Sequence, residues 1–135
     1  MNISKSKKSI FYSLISMIIF GAGVSACGDS GSGTNANAIK SLKSYYASHP
    51  HPRGWSVKKV SLNAKKDLHV NVKINSKSDI NQIKARSRMD QFKIAKSGCP
   101  KATKELRKSI QGKTRIWVHL LTDEGELTFS VCPKF

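Results

Sequence analysis

Apolar and polar residues alternate strictly in one segment near the middle of the chain. The alternating apolar positions are Leu68, Val70, Val72 and Ile74. A period of two is typical of a β-strand with one buried face, so this pattern predicts a strand over 67–75. A preceding strand is predicted over 55–64, where the apolar phase changes near Lys58 and Lys59 and indicates a β-bulge. The short segment 63–67 between them predicts a hairpin turn.

Two more strands are predicted close to the C-terminus, over 115–122 and 126–132, with a turn at 123–125 between them. Their alternating apolar positions are Ile116, Val118 and Leu120 on the first strand and Leu127, Phe129 and Val131 on the second. We expect each set to line one face of its strand. Trp117 and Leu121 fall on the opposite face, where a sheet with one solvent-exposed side carries polar residues.

The helical spacing of apolar residues predicts three helical regions. The first covers 38–48 and ends before a proline-rich bend. The second covers 79–96, but its apolar residues lie on two sides, so this helix is either covered twice or broken near 86–88. The third covers about 100–112.

The predicted order of elements is α-β-β-α(α)-β-β, with a hairpin on either side of a helical crossing. A helix must bury its apolar stripe against another layer, and a sheet must bury one face. The order therefore predicts a single α+β domain over 38–135. We expect a small four-stranded antiparallel sheet with the helices packed on one face.

The N-terminus shows positive charge, then an apolar run, then small residues, which together are typical of a secretory signal. The positive residues are Lys5, Lys7 and Lys8, and the apolar run covers 10–20. The end of this segment, Val24-Ser25-Ala26-Cys27, resembles the lipobox of bacterial lipoproteins. The resemblance implies that 1–26 is a signal peptide and that Cys27 receives a diacylglycerol. It also implies a domain anchored to a bacterial membrane on the extracytoplasmic side, since two acyl chains give stable anchoring.

Two alternatives to lipidation remain for this segment. An uncleaved membrane helix over 10–26 falls short of the about 20 apolar residues that a span needs. A plain secretory signal cut after Ala26 also fits the small residues, and it leaves Cys27 as an exposed thiol. In each case the Gly-, Ser- and Asn-rich segment 27–37 predicts a flexible tether.

If Cys27 carries lipid, Cys99 and Cys132 remain as an even pair in an exported chain, which predicts one disulfide. This bond closes a loop of about 34 residues and contributes roughly 3.5–4 kcal/mol on the chain-entropy model. Neither cysteine belongs to a CxxC motif, and no HxxxH spacing accompanies the pair. We therefore expect no metal site and no cofactor.

The charge of the chain points to anionic partners. Residues 27–135 hold 21 Lys and Arg against 8 Asp and Glu, a net charge of +13. Nucleic acid is the usual partner of so basic a chain, but export argues against it. We therefore expect an envelope protein, or an anionic glycan or lipid, as the partner.

The sequence contains no motif of a nucleophilic enzyme, and its acids show no spacing typical of acid–base catalysis, so no catalytic residue is predicted. The candidate binding residues are Arg115, Trp117 and His119 on one predicted strand and His69 and Lys73 on another. In one sheet these side chains share its open side, where a tryptophan among cations can hold a glycan ring or a protein anchor. The alternative is that a helix, such as the first one with Tyr45 and Tyr46, covers this side.

Together these features predict a membrane-anchored lipoprotein of the cell envelope. Its basic domain is expected to bind an anionic or acidic partner without catalysis, for example as part of a surface or secretion assembly. One alternative is a carrier of a glycan or another small ligand in a cleft between helix and sheet. A cell-wall hydrolase is a further alternative, and it requires titratable groups that converge in a cleft.

Overall fold

A computed structural model describes residues 32–51, 53–110 and 114–135. The helices are α1 Ser32–Ser48, α2 Lys77–Lys84, α3 Arg88–Lys96 and α4 Lys104–Ser109. The strands are β1 Ser56–Leu62, β2 Leu68–Lys73, β3 Ile116–Thr122 and β4 Gly125–Val131. The predicted α+β class is confirmed. Within these ranges, no helix is both long enough and apolar enough to cross a membrane.

The four strands form one sheet in the order β1-β2-β3-β4. The outer pairs β1–β2 and β3–β4 are antiparallel, but the central pair β2–β3 is parallel. The prediction of an entirely antiparallel sheet was therefore wrong. The reason is the crossing through α2, α3 and α4, which returns the chain to the end of the sheet where β2 begins. The first residues of the two strands, Leu68 and Ile116, are accordingly partners.

The predicted bulge in the first strand is confirmed. β1 is an edge strand, and its pairing with β2 is interrupted between Val57 and Lys59. Val57 pairs with Val72 and Lys59 pairs with Asn71, so Lys58 has no partner residue on β2. A bulge of this kind re-aims the side chains around it. Both Lys58 and Lys59 are exposed.

One hydrophobic core lies between the sheet and the helices. The sheet contributes the buried residues Val60, Leu68, Val70, Val72, Ile116, Val118 and Leu120. The helices contribute Ala38 and Leu42 from α1, Ile83 from α2, Ala95 from α3 and Leu106 from α4. Complete burial of one such aliphatic side chain stabilises the fold by about 1.5–3 kcal/mol. Because all four helices bury a residue in this core, they pack on one face of the sheet.

The first helix begins earlier than predicted. Its first residue is Ser32, so residues 32–37, which we assigned to the tether, are helical. The leader 1–26, Cys27 and residues 28–31 lie outside the described residues. The third predicted helical region is shorter than expected, because α4 starts only after its N-cap Thr103.

The second predicted helix is broken, which decides between the two alternatives for 79–96. α2 ends at Lys84 and α3 begins at Arg88. Ser87 is the N-cap of α3, and its hydroxyl accepts a hydrogen bond from the backbone N–H of Asp90 at 3.2 Å. A serine in this position satisfies an N–H group that has no partner within the helix. The carboxylate of Asp90 also lies favourably at the positive end of the helix dipole.

The predicted disulfide joins Cys99 and Cys132, whose Cα atoms are 5.5 Å apart. Cys99 follows α3, and Cys132 follows β4 and is buried. The bond therefore ties the helical layer to an edge strand. Next to it, a Cβ atom on Gly98 would lie 3.1 Å from Val118 Cγ1. The helical layer thus approaches β3 closely at a residue without a side chain.

The apolar residues of β4 do not share one face, contrary to the prediction. The register between β3 and β4 shifts at Leu120 and Leu121, and Leu127 packs against the core. Phe129 and Val131 lie on the other side of the sheet and are 37 % and 38 % exposed. The irregular register inserts one residue, and this extra residue changes the phase of the alternation.

Candidate functional site

The side of the sheet that faces away from the core collects polar and aromatic residues from three strands, and we call it the open face. Its residues are His69, Asn71 and Lys73 on β2, Trp117, His119 and Leu121 on β3, and Phe129 and Val131 on β4. The parallel register places His69 beside Trp117 and Asn71 beside His119. The antiparallel register places His119 beside Phe129 and Trp117 beside Val131.

Four rings, those of His69, Trp117, His119 and Phe129, form what we call the aromatic network of the open face. The ring centroid of His69 lies 6.0 Å from that of Trp117 and 5.0 Å from that of His119. The centroid of Phe129 lies 5.8 Å from Trp117 and 6.0 Å from His119. Phe92 of α3 meets Phe129 edge-on at 5.6 Å and borders the network. Rings in such arrangements attract one another and hold each other in place.

A chain of hydrogen bonds runs through the network from the β1–β2 turn to β4. Asn63 Nδ2 lies 3.1 Å from His69 Nε2. His69 Nδ1 lies 2.8 Å from His119 Nε2. The other nitrogen of His119, Nδ1, contacts the carboxylate of Glu126. The chain thus connects a carboxylate, two imidazoles and an amide in series.

The β1–β2 turn indicates which ring nitrogens in this series of hydrogen bonds carry a proton. Asn63 Oδ1 accepts hydrogen bonds at 2.9 Å from two backbone N–H groups of its own turn, so its amide presents the NH₂ group to His69. His69 Nε2 is then an acceptor, and the proton on Nδ1 is donated to His119 Nε2. His119 in turn donates from Nδ1 to Glu126. A further proton on His69 removes the acceptor that the amide of Asn63 engages.

The surroundings of His69 favour the same neutral form. Burial lowers the pKa of His69, and the neighbouring His119 lowers it further. The carboxylates of Asp67 and Glu126 act in the opposite direction. The net effect is a His69 that resists protonation more than an exposed histidine does.

Arg115 lies over Trp117 and is held there by an ion pair. Its guanidinium carbon is 5.6 Å from the indole centroid. Nη2 lies 3.0 Å from Asp67 Oδ2, and Nε lies 3.4 Å from Asp67 Oδ1. Hydrogen bonding from Arg115 lowers the pKa of Asp67, against the opposing effect of burial. The Arg115 side chain remains 49 % exposed, so the N–H groups that Asp67 does not engage are available to a partner.

Lys73 lies at the far end of the open face, outside the aromatic network. It pairs with Asp123 of the β3–β4 turn, and this hydrogen bond lowers the pKa of Asp123. Arg115, His119 and Lys73 each contact a carboxylate. The open face therefore combines exposed aromatic surface with balanced charge, whereas composition suggested a strongly cationic surface.

The five predicted binding residues thus lie on one side of the sheet, and four of them are in mutual contact. The alternative in which α1 covers this side does not hold for the described residues. Tyr46 donates a hydrogen bond to the carbonyl of Gly98 at 2.9 Å, and Tyr45 Oη accepts one from the backbone N–H of Lys101 at 2.9 Å. Both tyrosines therefore bind the segment after α3 in the helical layer, where burial raises the pKa of Tyr46.

Phe129 and Val131 belong to the open face, although the alternation along β4 did not place them there. The informative residue is Cys132. Because its disulfide partner lies in the helical layer, Cys132 faces the core. The residue before it must then face away from the core, and so must Phe129, two residues earlier.

The remaining histidines do not form a site with one another. The ring of His49 stacks on Tyr45 at 4.4 Å, and the ring of His51 stacks on Trp55 at 4.3 Å. Burial lowers the pKa of His51, as does the nearby Arg53. In the part of the chain that the structure describes, no group of three or more His, Cys, Asp or Glu could hold a metal ion.

The series of carboxylate and imidazoles is chemically similar to the relay that activates a hydroxyl nucleophile. The end of this series is occupied by the amide of Asn63. Across residues 32–51, 53–110 and 114–135, no hydroxyl or thiol hydrogen-bonds to His69 or His119. The series therefore orders the face and presents no nucleophile.

No family model, no curated protein and no solved structure matches this chain. The rings of the open face contact one another, and Arg115 and Lys73 on this face are each paired with a carboxylate.

Proposed function

We propose that this chain is an exported lipoprotein of a bacterial envelope, anchored through lipid on Cys27, whose domain binds another envelope component without catalysis. The open face is the binding surface, and the partner is an acidic envelope protein. The observation that carries this proposal is the partly exposed aromatic network, with Phe129 as its most exposed ring, beside the partly exposed Arg115.

The residue types of the open face support a protein partner. Tryptophan and arginine, which supply much of the binding energy in protein interfaces, adjoin one another here as Trp117 and Arg115. Phe129 packs against Trp117, and Val131 adds exposed apolar surface on the neighbouring strand. Because the rings hold one another in place, little side-chain freedom is lost when a partner binds.

The overall charge supports an acidic partner. Five carboxylates of the described residues form salt bridges with Lys or Arg, yet the chain from 27 to 135 has a net charge of +13. Such a charge attracts an acidic protein at long range. A partner carboxylate can then bind the N–H groups of Arg115 that Asp67 leaves unused.

A carrier of a glycan is a second candidate, favoured by a cavity of about 330 Å³ between α1 and α4. Hydroxyl groups of serine and threonine line this cavity together with Glu105 and the ring of Tyr45. Such groups suit the hydroxyls and the ring face of a sugar. Titration of the full chain with neutral sugars tests this candidate through the NMR signals of the Tyr45 ring. Unchanged signals at millimolar sugar remove it.

A cell-wall hydrolase has weaker support. His69, His119 and Glu126 converge as such an enzyme requires, but the outer nitrogen of His69 is engaged by Asn63. A hydrolase would need a nucleophile or an activated water at that position. We therefore propose that His69, His119 and Glu126 belong to a binding surface.

The anchor is tested by the intact mass of the chain isolated from membranes of its native host. We expect a mature chain that begins at Cys27 and carries the added mass of a diacylglycerol. The matched variant Cys27→Ser is expected to lose that mass. An unprocessed N-terminus, or a mature chain with an unmodified Cys27, contradicts the anchor.

The docking surface is tested by photo-crosslinking in intact cells of the native host. A photoreactive residue in place of Val131 reports on the open face, and one in place of Met89 on α3, which is 66 % exposed, serves as the control. We expect one acidic envelope protein to be captured from Val131 at least about tenfold more than from Met89. Equal capture from both positions, or capture from Val131 that Trp117→Ala does not reduce, contradicts the proposal.

A further inference from the structure

A groove between α1 and the edge strand β1 gathers lysines around an apolar floor, and we call it the basic groove. Its cavity has a volume of about 320 Å³. The residues that matter for its chemistry are Lys43 and Tyr46 on α1 and Val57, Lys58, Lys59 and Val60 on β1. Of the β1 residues that line the groove, Val57 and Val60 pair with core residues of β2, and Lys59 pairs with Asn71 of the open face.

Two adjacent lysines line the cavity at the bulge in β1. Lys59 pairs with Asn71, and Lys58 is the extra residue of the bulge. The bulge leaves Lys58 unpaired with β2 and changes the direction of the side chains around it. Both lysines are exposed and line the groove, as does Lys43 of the first helix.

The positive charge of the groove is not balanced by nearby acids. Among the described residues, none of Lys43, Lys58 and Lys59 has a carboxylate within 4.0 Å. Other lysines are neutralised, such as Lys73 by Asp123 and Lys84 by Glu124. The basic groove is therefore a concentrated positive charge with room for a ligand.

We propose that the basic groove binds the phosphate group of an anionic membrane lipid. Compact ammonium groups such as those of Lys43, Lys58 and Lys59 bind phosphate as point charges. The floor formed by Val57, Val60 and the ring of Tyr46 offers apolar contact to the glycerol and first acyl carbons of a lipid. An acidic peptide would gain less from this geometry, because the lysines lack the planar donor pairs that bind a carboxylate bidentately.

The position of the groove along the chain favours a lipid over free phosphate, and this step rests on the proposed anchor. α1 begins at Ser32, five residues after Cys27. Five residues span at most about 18 Å even when fully extended. A lipid on Cys27 would therefore hold the start of α1 within about 18 Å of the bilayer surface, and α1 lying along that surface would bring Lys43 to the lipid headgroups.

The proposal is tested on the full chain in micelles of a neutral detergent by NMR. The methyl signals of Val57 and Val60 and the ring signals of Tyr46 report on the groove. We expect these signals to shift and saturate when phosphatidylglycerol is added, and to respond more weakly to zwitterionic phosphatidylcholine. Inorganic phosphate, titrated separately, distinguishes a soluble ligand from a lipid.

Two triple variants with the same loss of charge separate a site from general attraction. Lys43→Gln with Lys58→Gln and Lys59→Gln removes the groove lysines. Lys96→Gln with Lys104→Gln and Lys108→Gln removes three exposed lysines elsewhere. We expect the phosphatidylglycerol concentration at half-saturation to rise at least about tenfold in the first variant and less than about twofold in the second.

Several outcomes would overturn the proposal. These are an equal effect of both triple variants, no shift with phosphatidylglycerol, and saturation by inorganic phosphate alone. If the first triple variant does not fold, Lys43→Gln, on the exposed side of α1, is expected to raise the half-saturation by itself, and an unchanged value contradicts the site. Trp117→Ala is expected to leave the lipid response unchanged, so failure of the groove and failure of the open face are distinguishable.

Discussion

The open face and the basic groove differ in how their charges are balanced. On the open face, Asp67 binds Arg115 and Asp123 binds Lys73, so the exposed surface is aromatic and close to neutral. In the basic groove, three lysines surround a cavity without a carboxylate nearby. The net charge of the chain therefore indicates an anionic partner, but only the pairing of individual charges shows which surface it suits.

The two surfaces also differ in the strands that carry them. The open face centres on β2 and β3, which are paired on both sides. The basic groove lies on the edge strand β1, at a bulge. Side chains on a central pair are fixed by neighbours, whereas those at an edge bulge are freer to adjust. We therefore expect a rigid protein contact on the first surface and an adaptable charge contact on the second.

The largest expected effect is on the free energy of unfolding, and it tests which side of the sheet faces the core. Leu120 is fully buried, whereas Phe129 on the next strand belongs to the open face. Leu120→Ala should reduce the free energy of unfolding by about 2–5 kcal/mol, because it leaves a cavity. Phe129→Ala should reduce it by only about 1 kcal/mol, through lost ring contacts. Urea denaturation measures both, and equal losses would contradict the assignment of the faces.

Part of this architecture is predictable from the sequence because it depends on local pattern. The alternation from Leu68 to Ile74 marks β2, and the change of phase near Lys58 marks the bulge. The direction of β3 is not local, since it depends on the path of the chain through three helices. The start of α1 at Ser32 was also missed, because residues 32–37 carry no apolar stripe of their own.

The site was predictable to a similar extent. Period-two spacing placed Trp117 and His119 on the same face as Arg115, and the register confirms that His69 lies beside them. The role of Asn63 was not predictable, because it depends on the orientation of an amide that the folded turn determines. A sequence pattern places side chains on faces, but it does not specify hydrogen-bond donors and acceptors.

The next largest expected effect is on the affinity for the captured protein, which the two surfaces should influence differently. Once the protein captured from Val131 is identified, Trp117→Ala should weaken its binding by about 2 kcal/mol, close to thirtyfold. The triple variant of the groove lysines should change the same affinity less than about threefold, through long-range attraction alone. Isothermal titration calorimetry measures both affinities. A larger loss from the groove variant would reverse the roles of the two surfaces.

The salt dependence of binding also distinguishes the two surfaces. Raising NaCl from about 50 to 300 mM should weaken phosphatidylglycerol binding in the basic groove by about five- to tenfold, because unpaired charges near water are screened. Docking on the open face should weaken by less than about threefold, since its central contacts are aromatic and its own charges are already paired. The NMR titration and calorimetry give the two dependences. Equal salt dependence would contradict the proposed division.

The smallest expected effect is a pH dependence of the open face. The pKa of His69 is lowered in the fold, so the unfolded chain takes up a proton more readily. The stability due to this group is complete above the ordinary histidine pKa of about 6.5 and falls as the pH decreases below it. His119, Asp67 and Glu126 face this ring, and the two carboxylates moderate the loss.

Urea midpoints between pH 8 and pH 5.5 measure this dependence. The variant His69→Gln removes the titrating ring at the same position, so its midpoint should fall less over that range than that of the unsubstituted chain. Identical curves for both chains, or a stability that rises as the pH falls, would contradict the neutral arrangement of the hydrogen-bond chain.

The most direct test of two distinct surfaces is photo-crosslinking in intact cells of the native host from one position on each. Val131 represents the open face, and Ala47, an exposed residue of α1 that lines the basic groove, represents the groove. The account predicts a protein adduct from Val131 and a phospholipid adduct from Ala47. The same adduct from both positions would contradict it.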